Sequence, residues 1–338
     1  MRTQKLVIMN KIKFYFILSM LSLALFSCSK SSEEVAVTPP REYSVQYATD
    51  IKDIEEYLKT FYIEEVTADF DIKISKIPTG GTQKSVWDQT TYPLKFREVD
   101  LHGLKYKLYY LVLNEGKGAS PTNVDAVWSS YKGDYLQQVT KDGVTTLTVT
   151  EFERSTSPSR FFEFTGQVAT IKGWSEFFPK LKAGTYTSNT DGTVSYKDFG
   201  AGVVFIPSGL GYYSTGQSTI PAYAPLVFNV KLYEIQRIDH DGDGVPSYLE
   251  DLDGDGYMYS FTSSVSYPTK PTTNPDDTDG DEVPDFIDVD DDGDNYTTKL
   301  ERSYKDANGV VKYYDFANIP LCSGGNGKKR YLDPKCHD

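Results

Sequence analysis

Cysteine, histidine, methionine and tryptophan are all scarce: the 338 residues contain three, three, four and three of them respectively. Three cysteines are too few for a scaffold held together by disulfides. Three histidines leave little room for a histidine-rich catalytic metal centre. Basic residues are in deficit as well, with 35 Lys+Arg against 48 Asp+Glu and a net charge of −13. That balance argues against a nucleic-acid partner, which needs a basic footprint on phosphate. The apolar run Phe14–Phe26 has 13 residues, short of the roughly 20 that cross a bilayer as a helix. No protease, hydrolase or phosphate-loop motif is present, and the Ser and His residues form no recognisable constellation.

What is present is a substantial apolar fraction, 39% with 14% aromatic, enough to build a core. The length predicts two compact units with appendages. The negative charge is concentrated. Between Asp239 and Glu301 stand 19 acidic and two basic residues, Lys270 and Lys299, a local net charge of −17. The remainder is therefore slightly basic. A block this dense repels itself unless something cationic sits within it.

Residues 1–27 read as a signal peptide: Arg2, Lys5, Lys11 and Lys13 form a basic region ahead of the apolar run. The run ends in Leu25-Phe26-Ser27-Cys28, which resembles a bacterial lipoprotein signal with Cys28 as the acylated residue. The alternative is a chance cysteine after an ordinary signal. Acyl chains would anchor the protein to a membrane surface without spanning it. Ser29 after Cys28, and the run Ser29-Lys30-Ser31-Ser32-Glu33-Glu34, resemble the outer-membrane sorting and export tags of Bacteroidota surface lipoproteins. The resemblance implies an outer-membrane lipoprotein, facing either the periplasm or the cell surface. With Cys28 lipidated, Cys322 and Cys336 remain, 14 residues apart. A disulfide between them would pin the C-terminus, the alternative being two idle thiols.

Residues 28–40 form a polar, proline-ended tether. In the extension 41–113, Ile51, Ile54, Leu58 and Phe61 recur at helical spacing and predict an amphipathic helix over 50–63, with Asp50 as its N-cap. DFDIKISKI (69–77) and YKLYYLVL (106–113) read as strands. Residues 114–238 are strand-rich with one short helix, WSEFFPKL, and a hairpin turning at Asp142-Gly143. Residues 239–301 are Asp/Gly repeats. The last segment, 302–338, carries a strand-like VVKYY at 310–314 and the two cysteines.

Residues 114–238 resemble the FKBP-type peptidyl-prolyl isomerases in five motifs taken in order. NEGKGASPTNVDAVWSSYKG ends near a pocket tyrosine, Tyr131. FERS supplies Phe152 as a wall, with Glu153 where the family has Asp. FFEF supplies Phe162, and ATIKGWSEFFPKLKAG supplies Ile171 and the floor residue Trp174. VVFIPSGLGYYSTGQSTIP carries Tyr212 and Ile220, and LVFNVKLYEI carries Phe228. The resemblance implies an α+β fold, a half-open antiparallel sheet wrapping a short helix. It also implies catalysis of cis–trans isomerisation at Xaa-Pro bonds of polypeptide clients. Rotation about that bond must break amide resonance, a barrier near about 18–20 kcal/mol, and requires no nucleophile. The twisted amide has lost charge separation, so an apolar pocket favours it, while Tyr212 and the Ile171 N–H would hold the flanking carbonyls. Taken singly, each of these aromatics is more simply core. Glu153, Thr170 at the pocket mouth and Tyr213 beside Tyr212 depart from the family pattern.

DHDGDGVPSYLE (239–250) fits the twelve-residue calcium-loop template, with Asp239, Asp241 and Asp243 at alternate positions, Gly244 at the turn and Glu250 closing the loop. Asp251, Asp253 and Asp255 follow, then Asp277, Asp279 and Asp281 with Asp285 and Asp288. Asp290, Asp292, Asp294 and Glu301 form a last loop in which Asn295 replaces Gly. Flanking helices of EF-hand length are absent, and the run is similar to thrombospondin type 3 repeats. It predicts an irregular C-terminal arm stabilised by structural calcium. The alternative is a solvated acidic linker. The leading functional reading is a membrane-anchored isomerase that assists folding of exported or outer-membrane proteins. The competing readings are a catalytically weak proline-recognition module and a calcium-stabilised scaffold in an outer-membrane assembly.

Overall fold

The computed structural model describes residues 39–261, 263–325 and 327–336; the signal segment and Cys28 lie outside the described residues. The strands are β1 (Phe61–Val66), β2 (Ile72–Lys76), β3 (Lys95–Leu101), β4 (Leu104–Asn114), β5 (Ala126–Lys141), β6 (Val144–Ser155), β7 (Phe162–Glu163), β8 (Thr185–Ser188), β9 (Val194–Lys197), β10 (Gly200–Ile206), β11 (Leu226–Gln236), β12 (Ser303–Lys305) and β13 (Val311–Tyr313). The helices are α1 (Tyr43–Thr60), α2 (Lys172–Phe177) and α3 (Thr298–Glu301). None of the described helices is long and apolar enough to cross a membrane. Antiparallel sheet dominates and helix is sparse, in keeping with the α+β class.

The run GAGVVFI has no polar side chain, the signature of a strand covered on both faces. It forms β10, buried throughout, near the middle of a sheet ordered β3-β4-β10-β11-β5-β6, with β7 paired to β5. Its alternation serves two cores. Val204 and Ile206 face one side with Tyr106, Leu108, Trp174, Phe177, Phe228 and Val230. Ala201, Val203 and Phe205 face the other with Ile54, Tyr57, Leu58, Tyr109 and Leu111. The first core is closed by α2 and the second by α1. At Gly173 in α2 a Cβ would lie 2.6 Å from Ile206 Cγ2, so only glycine lets this helix sit directly on the sheet.

The segment 41–113, read as an extension with a helix and first strands, supplies the edge of this sheet: β3 pairs with β4, and β4 with β10. The helix differs in place from the span read off the periodicity. It begins at Tyr43 and ends at Thr60, because Phe61 turns extended and opens β1. Its extra first turns are held by tertiary contacts. Tyr43 stacks between His102 and Tyr213, at 3.6 and 4.2 Å between ring centroids, and the Tyr47 hydroxyl accepts from Lys107 N at 2.8 Å. Asp50 is consequently mid-helix and buried, not an N-cap. Between β5 and β6 the turn falls at Asp142 and Gly143, whose φ values of 52° and 77° suit a two-residue hairpin of type I′.

Tyr257, Met258 and Ser266 of the acidic arm contact α2, Asn123 and His102 of the sheet domain, and the chain from Arg41 onward clusters as one compact unit. Val245 of the first acidic loop is fully buried against Ile319, Tyr331 and Leu332 of the last segment. Cys322 and Cys336 are joined by a disulfide.

Candidate functional site

An antiparallel pair normally sends successive side chains to opposite faces, yet Phe152 and Glu153 of β6 line the same cavity. The register explains this. Gly133 pairs with Glu153 and Asp134 with Glu151, so Phe152 is an extra residue bulged out of the ladder, and a bulge re-aims side chains locally. Tyr131 on β5, Phe162 on β7, Ile171 and Trp174 at the start of α2, Tyr212 in the loop after β10, and Phe228 on β11 complete the wall.

The cavity measures about 280 Å³; a pocket of about 150 Å³ already takes a benzene ring. Eight of the nine residues read as pocket residues line it. The ninth, Ile220, is buried in the same core but is not on the cavity wall. Its rings meet edge to face, the usual preference of aromatic quadrupoles. Tyr131 to Trp174, Phe162 to Trp174 and Trp174 to Phe228 are 5.2, 5.3 and 5.3 Å between centroids. Trp174 is 4% exposed.

Two polar atoms beside the cavity are buried with no hydrogen-bond partner among the described residues: the Trp174 indole Nε1 and Thr170 Oγ1. Unpaired buried donors are uncommon and call for a ligand acceptor or water. Burial, and then a hydrogen bond to Glu153, pushes the Tyr131 hydroxyl well above the ordinary phenol range. Burial, and then the charge on Glu153, raises the Tyr212 hydroxyl. Both phenols are therefore protonated donors at neutral pH. Arg160, Val168 and Ala169 also line the cavity and went unread, since they stand in loops without a periodic signal. Arg160 lies 5.2 Å from the Phe162 centroid, a cation over an aromatic face.

The acidic arm repeats one local geometry. The first Asp of each loop accepts from backbone N–H groups further along: Asp239 from Gly242 and Gly244, Asp251 from Gly254 and Gly256, Asp277 from Gly280 and Glu282. Asp290 accepts from Asn295, which takes φ of 75°, the left-handed conformation that Gly244 and Gly256 adopt at the same place and that Asn tolerates.

Carboxylate oxygens converge within 4.8 Å in four groups: Asp241, Asp243, Glu250 and Asp291; Asp251, Asp253 and Asp255; Asp277, Asp279 and Asp281; and Asp290, Asp292 and Asp294. Four residues read as ligands, Asp239, Asp285, Asp288 and Glu301, are outside these groups. Asp239 caps its own turn, Asp285 accepts from the Thr278 N–H and hydroxyl at 2.7 Å each, and Asp288 accepts from Asp290 N. Glu301 is buried beside the last group; burial first, then the charges on Asp292, Asp294 and Asp290, pushes it up to about 9.

Asp291 joins the first group from a distant loop, a residue the alternate spacing passes over. Asp276, also unread, is buried near the second. Burial first, then repulsion from Asp251, Asp253 and Asp255, pushes it up to about 7. Both oxygens of Glu250, of Asp291 and of Glu301, and Oδ2 of Asp276, are buried without hydrogen-bond partners among the described residues.

Residues 240–329 match the family model described as BamM C-terminal. This match covers most of the stretch read as thrombospondin type 3-like repeats and runs on past residue 301. No curated protein matches the chain. Among solved structures, the chain is similar to a peptidyl-prolyl cis-trans isomerase from Pseudomonas syringae pv. tomato, at 22% identity and a TM-score of 0.27, over 41% of this chain and 81% of that one. It is similar to FkpA from Escherichia coli at 29% identity and a TM-score of 0.27, over 38% of this chain and 48% of that one, so it spans about half of FkpA. The N-terminal domain of FKBP42 from Arabidopsis thaliana is similar at 14% identity and a TM-score of 0.28, over 41% and 94%.

Proposed function

We propose that this protein is a peptidyl-prolyl cis–trans isomerase acting on proline-containing polypeptides. The observation that carries the reading is the convergence of Tyr131, Phe152, Phe162, Trp174, Tyr212 and Phe228 on one aromatic-walled cavity with an unpaired indole N–H at its floor. A proline ring seated on Trp174 displaces water from the imide. The planar amide, with its charge separation, loses more solvation there than the twisted one, so the barrier to rotation falls. Protonated Tyr212, and the N–H groups at the start of α2, are placed to hold the carbonyls on either side, while the Tyr131 hydroxyl is held by Glu153.

Protease-coupled isomerisation of an Xaa-Pro tetrapeptide tests this. Trp174→Leu is expected to lower kcat/KM by about a hundredfold and Tyr212→Phe by about tenfold. Peptide binding without turnover by the folded wild type would move the conclusion to proline recognition.

The acidic arm is proposed to hold structural calcium. Orphaned, buried carboxylate oxygens on Glu250, Asp291 and Glu301 suit a hard cation that takes six to eight oxygens. Such a cation supplies the positive charge that lets these groups stay ionised together.

Membrane anchoring through an acylated Cys28, in an outer-membrane setting facing the periplasm or the cell surface, is likewise proposed. It rests on the signal segment, and the BamM C-terminal match over 240–329 is in keeping with a place in an outer-membrane assembly. Incorporation of labelled palmitate that Cys28→Ser abolishes is the expected result.

A further inference from the structure

α2 has six residues, too few for a helix to hold by its own hydrogen bonds. Its place, and with it the pocket floor Trp174, depends on what packs around it. One side rests on Ile206 of the sheet. The other carries Lys172 and Glu176, one turn apart. Glu176 is 0% exposed; its Oε2 pairs with Arg97 Nη2 of β3 at 2.8 Å and its Oε1 with Lys172 Nζ at 2.9 Å. Oε1 also accepts from the Tyr257 hydroxyl. That hydroxyl accepts in turn from Lys172 Nζ at 3.0 Å, and the Arg97 guanidinium lies 5.0 Å from the Tyr257 ring centroid.

Tyr257 comes from the acidic arm, far along the chain, and lies outside the cavity. Its N–H donates to Asp255 Oδ1 at 2.7 Å, and that of Gly256 donates to Asp251 Oδ2 at 2.8 Å. The next residue, Met258, is gripped by Asn123, whose Oδ1 accepts from Met258 N at 2.8 Å and whose Nδ2 donates to Met258 O at 2.6 Å. The loop carboxylates on one side and Asn123 on the other thus set where Tyr257 stands. The loop itself gathers Asp251, Asp253 and Asp255. Beside it lies Asp276, 0% exposed, with Oδ1 accepting from Leu252 N and Oδ2 without a partner among the described residues.

We propose that this loop is a cation-dependent clamp on the pocket helix. With a hard divalent cation held by Asp251, Asp253 and Asp255, beside the buried carboxyl of Asp276, Tyr257 is fixed between Lys172 and Glu176, and α2 keeps Trp174 in place. The inference rests on the reading of the cavity as a proline site. Tyr257 is a positioning residue that acts on the pocket through α2. Without the cation the four carboxyls repel, the loop opens, and the buried face of α2 loses its support.

The test uses the full chain in detergent, with calcium alone as the probe. The readouts are the Trp174 indole N–H resonance, identified by its loss in Trp174→Phe, and the affinity for a labelled Xaa-Pro peptide. Chelation is expected to move the resonance and to weaken peptide binding about tenfold. Asp253→Asn should reproduce the chelated state at calcium concentrations that saturate wild type. Tyr257→Leu should take up calcium yet no longer pass the change to Trp174, and Tyr257→Phe, which keeps the ring, should lose part of the response.

A Trp174 resonance indifferent to calcium in wild type, or a Tyr257→Leu protein that responds as wild type does, overturns the clamp. Peptide bound equally well with and without calcium overturns it while leaving the proline pocket standing. A resonance that moves with calcium in a protein that binds no proline peptide supports the clamp and removes the proline reading.

Discussion

Gly133 leaves the space that the ring of Phe152 occupies: a Cβ at position 133 would lie 2.3 Å from Phe152 Cζ. The two residues face each other across the bulge in β6, so the glycine and the bulge together aim Phe152 into the cavity. Gly133→Ala is expected to push the ring out at an overpacking cost of about 1–3 kcal/mol. The thermal midpoint should fall modestly and isomerisation of an Xaa-Pro peptide by about tenfold or more. A variant with wild-type turnover would show that Phe152 is not a working wall of the pocket.

Asp50 ties α1 to the loop that carries Tyr212. Its Oδ2 accepts from Ser208 N and Oγ at 2.7 and 2.6 Å, and its Oδ1 from Gln46 Nε2 at 2.6 Å. Burial outweighs these bonds and pushes its carboxyl up from 3.8 to about 6. The folded protein therefore holds a proton that the unfolded chain has released between about pH 4 and pH 6. Its contribution to stability is full below about pH 4 and is lost as pH rises through about 6, a swing of about 3 kcal/mol. Urea denaturation of wild type and Asp50→Asn across pH 4 to 7 should show wild type lose stability relative to the variant by that order as pH rises. Parallel curves would refute the assignment, since the acidic arm titrates in both proteins and cancels.

Asp291 reaches the first acidic loop from the last one. If the group holds calcium, Asp291→Asn should lower the stoichiometry measured by equilibrium dialysis by about one ion and depress the thermal midpoint, and Glu250→Gln should do the same. Asp285→Asn should leave the stoichiometry unchanged, because that carboxylate is already bonded to Thr278. An unaltered count in Asp291→Asn would remove the site.

The Cys322–Cys336 bond closes a loop of 14 residues next to the small core of Val245, Ile319, Tyr331 and Leu332. In the chain-entropy account a loop of this length contributes about 3 kcal/mol. Cys322→Ser with Cys336→Ser should lower stability toward denaturant by that order, with the loss greatest in the last segment by hydrogen exchange. No measurable change would mean that the small core holds the C-terminus without the bond.

Some of this protein could be read from local pattern alone. Asp142-Gly143 announces a hairpin turn, and the two-residue spacing of Asp a set of loops whose carboxylates converge. The order of motifs from Tyr131 to Phe228 names six aromatics, with Glu153 and Ile171, that line one cavity. Loop residues such as Arg160 and Val168 left no trace, because nothing periodic marks them. The start of α1 was misplaced because its first turns are held by His102, Lys107 and Tyr213, all distant in sequence.

Spacing and periodicity are local properties, so the sequence by itself determined which short stretches are strands, turns and acidic loops, and which side chains are apolar enough to form a pocket. Only the tertiary structure decided that Asp50 meets Ser208, that Asp291 joins Glu250, and that Tyr257 closes on Glu176. Asp50 and Glu176 are buried carboxyls that need a donor, and the second pair brings two carboxylates together; in each case the partner or neighbour is supplied by the path of the chain rather than by a residue close along it.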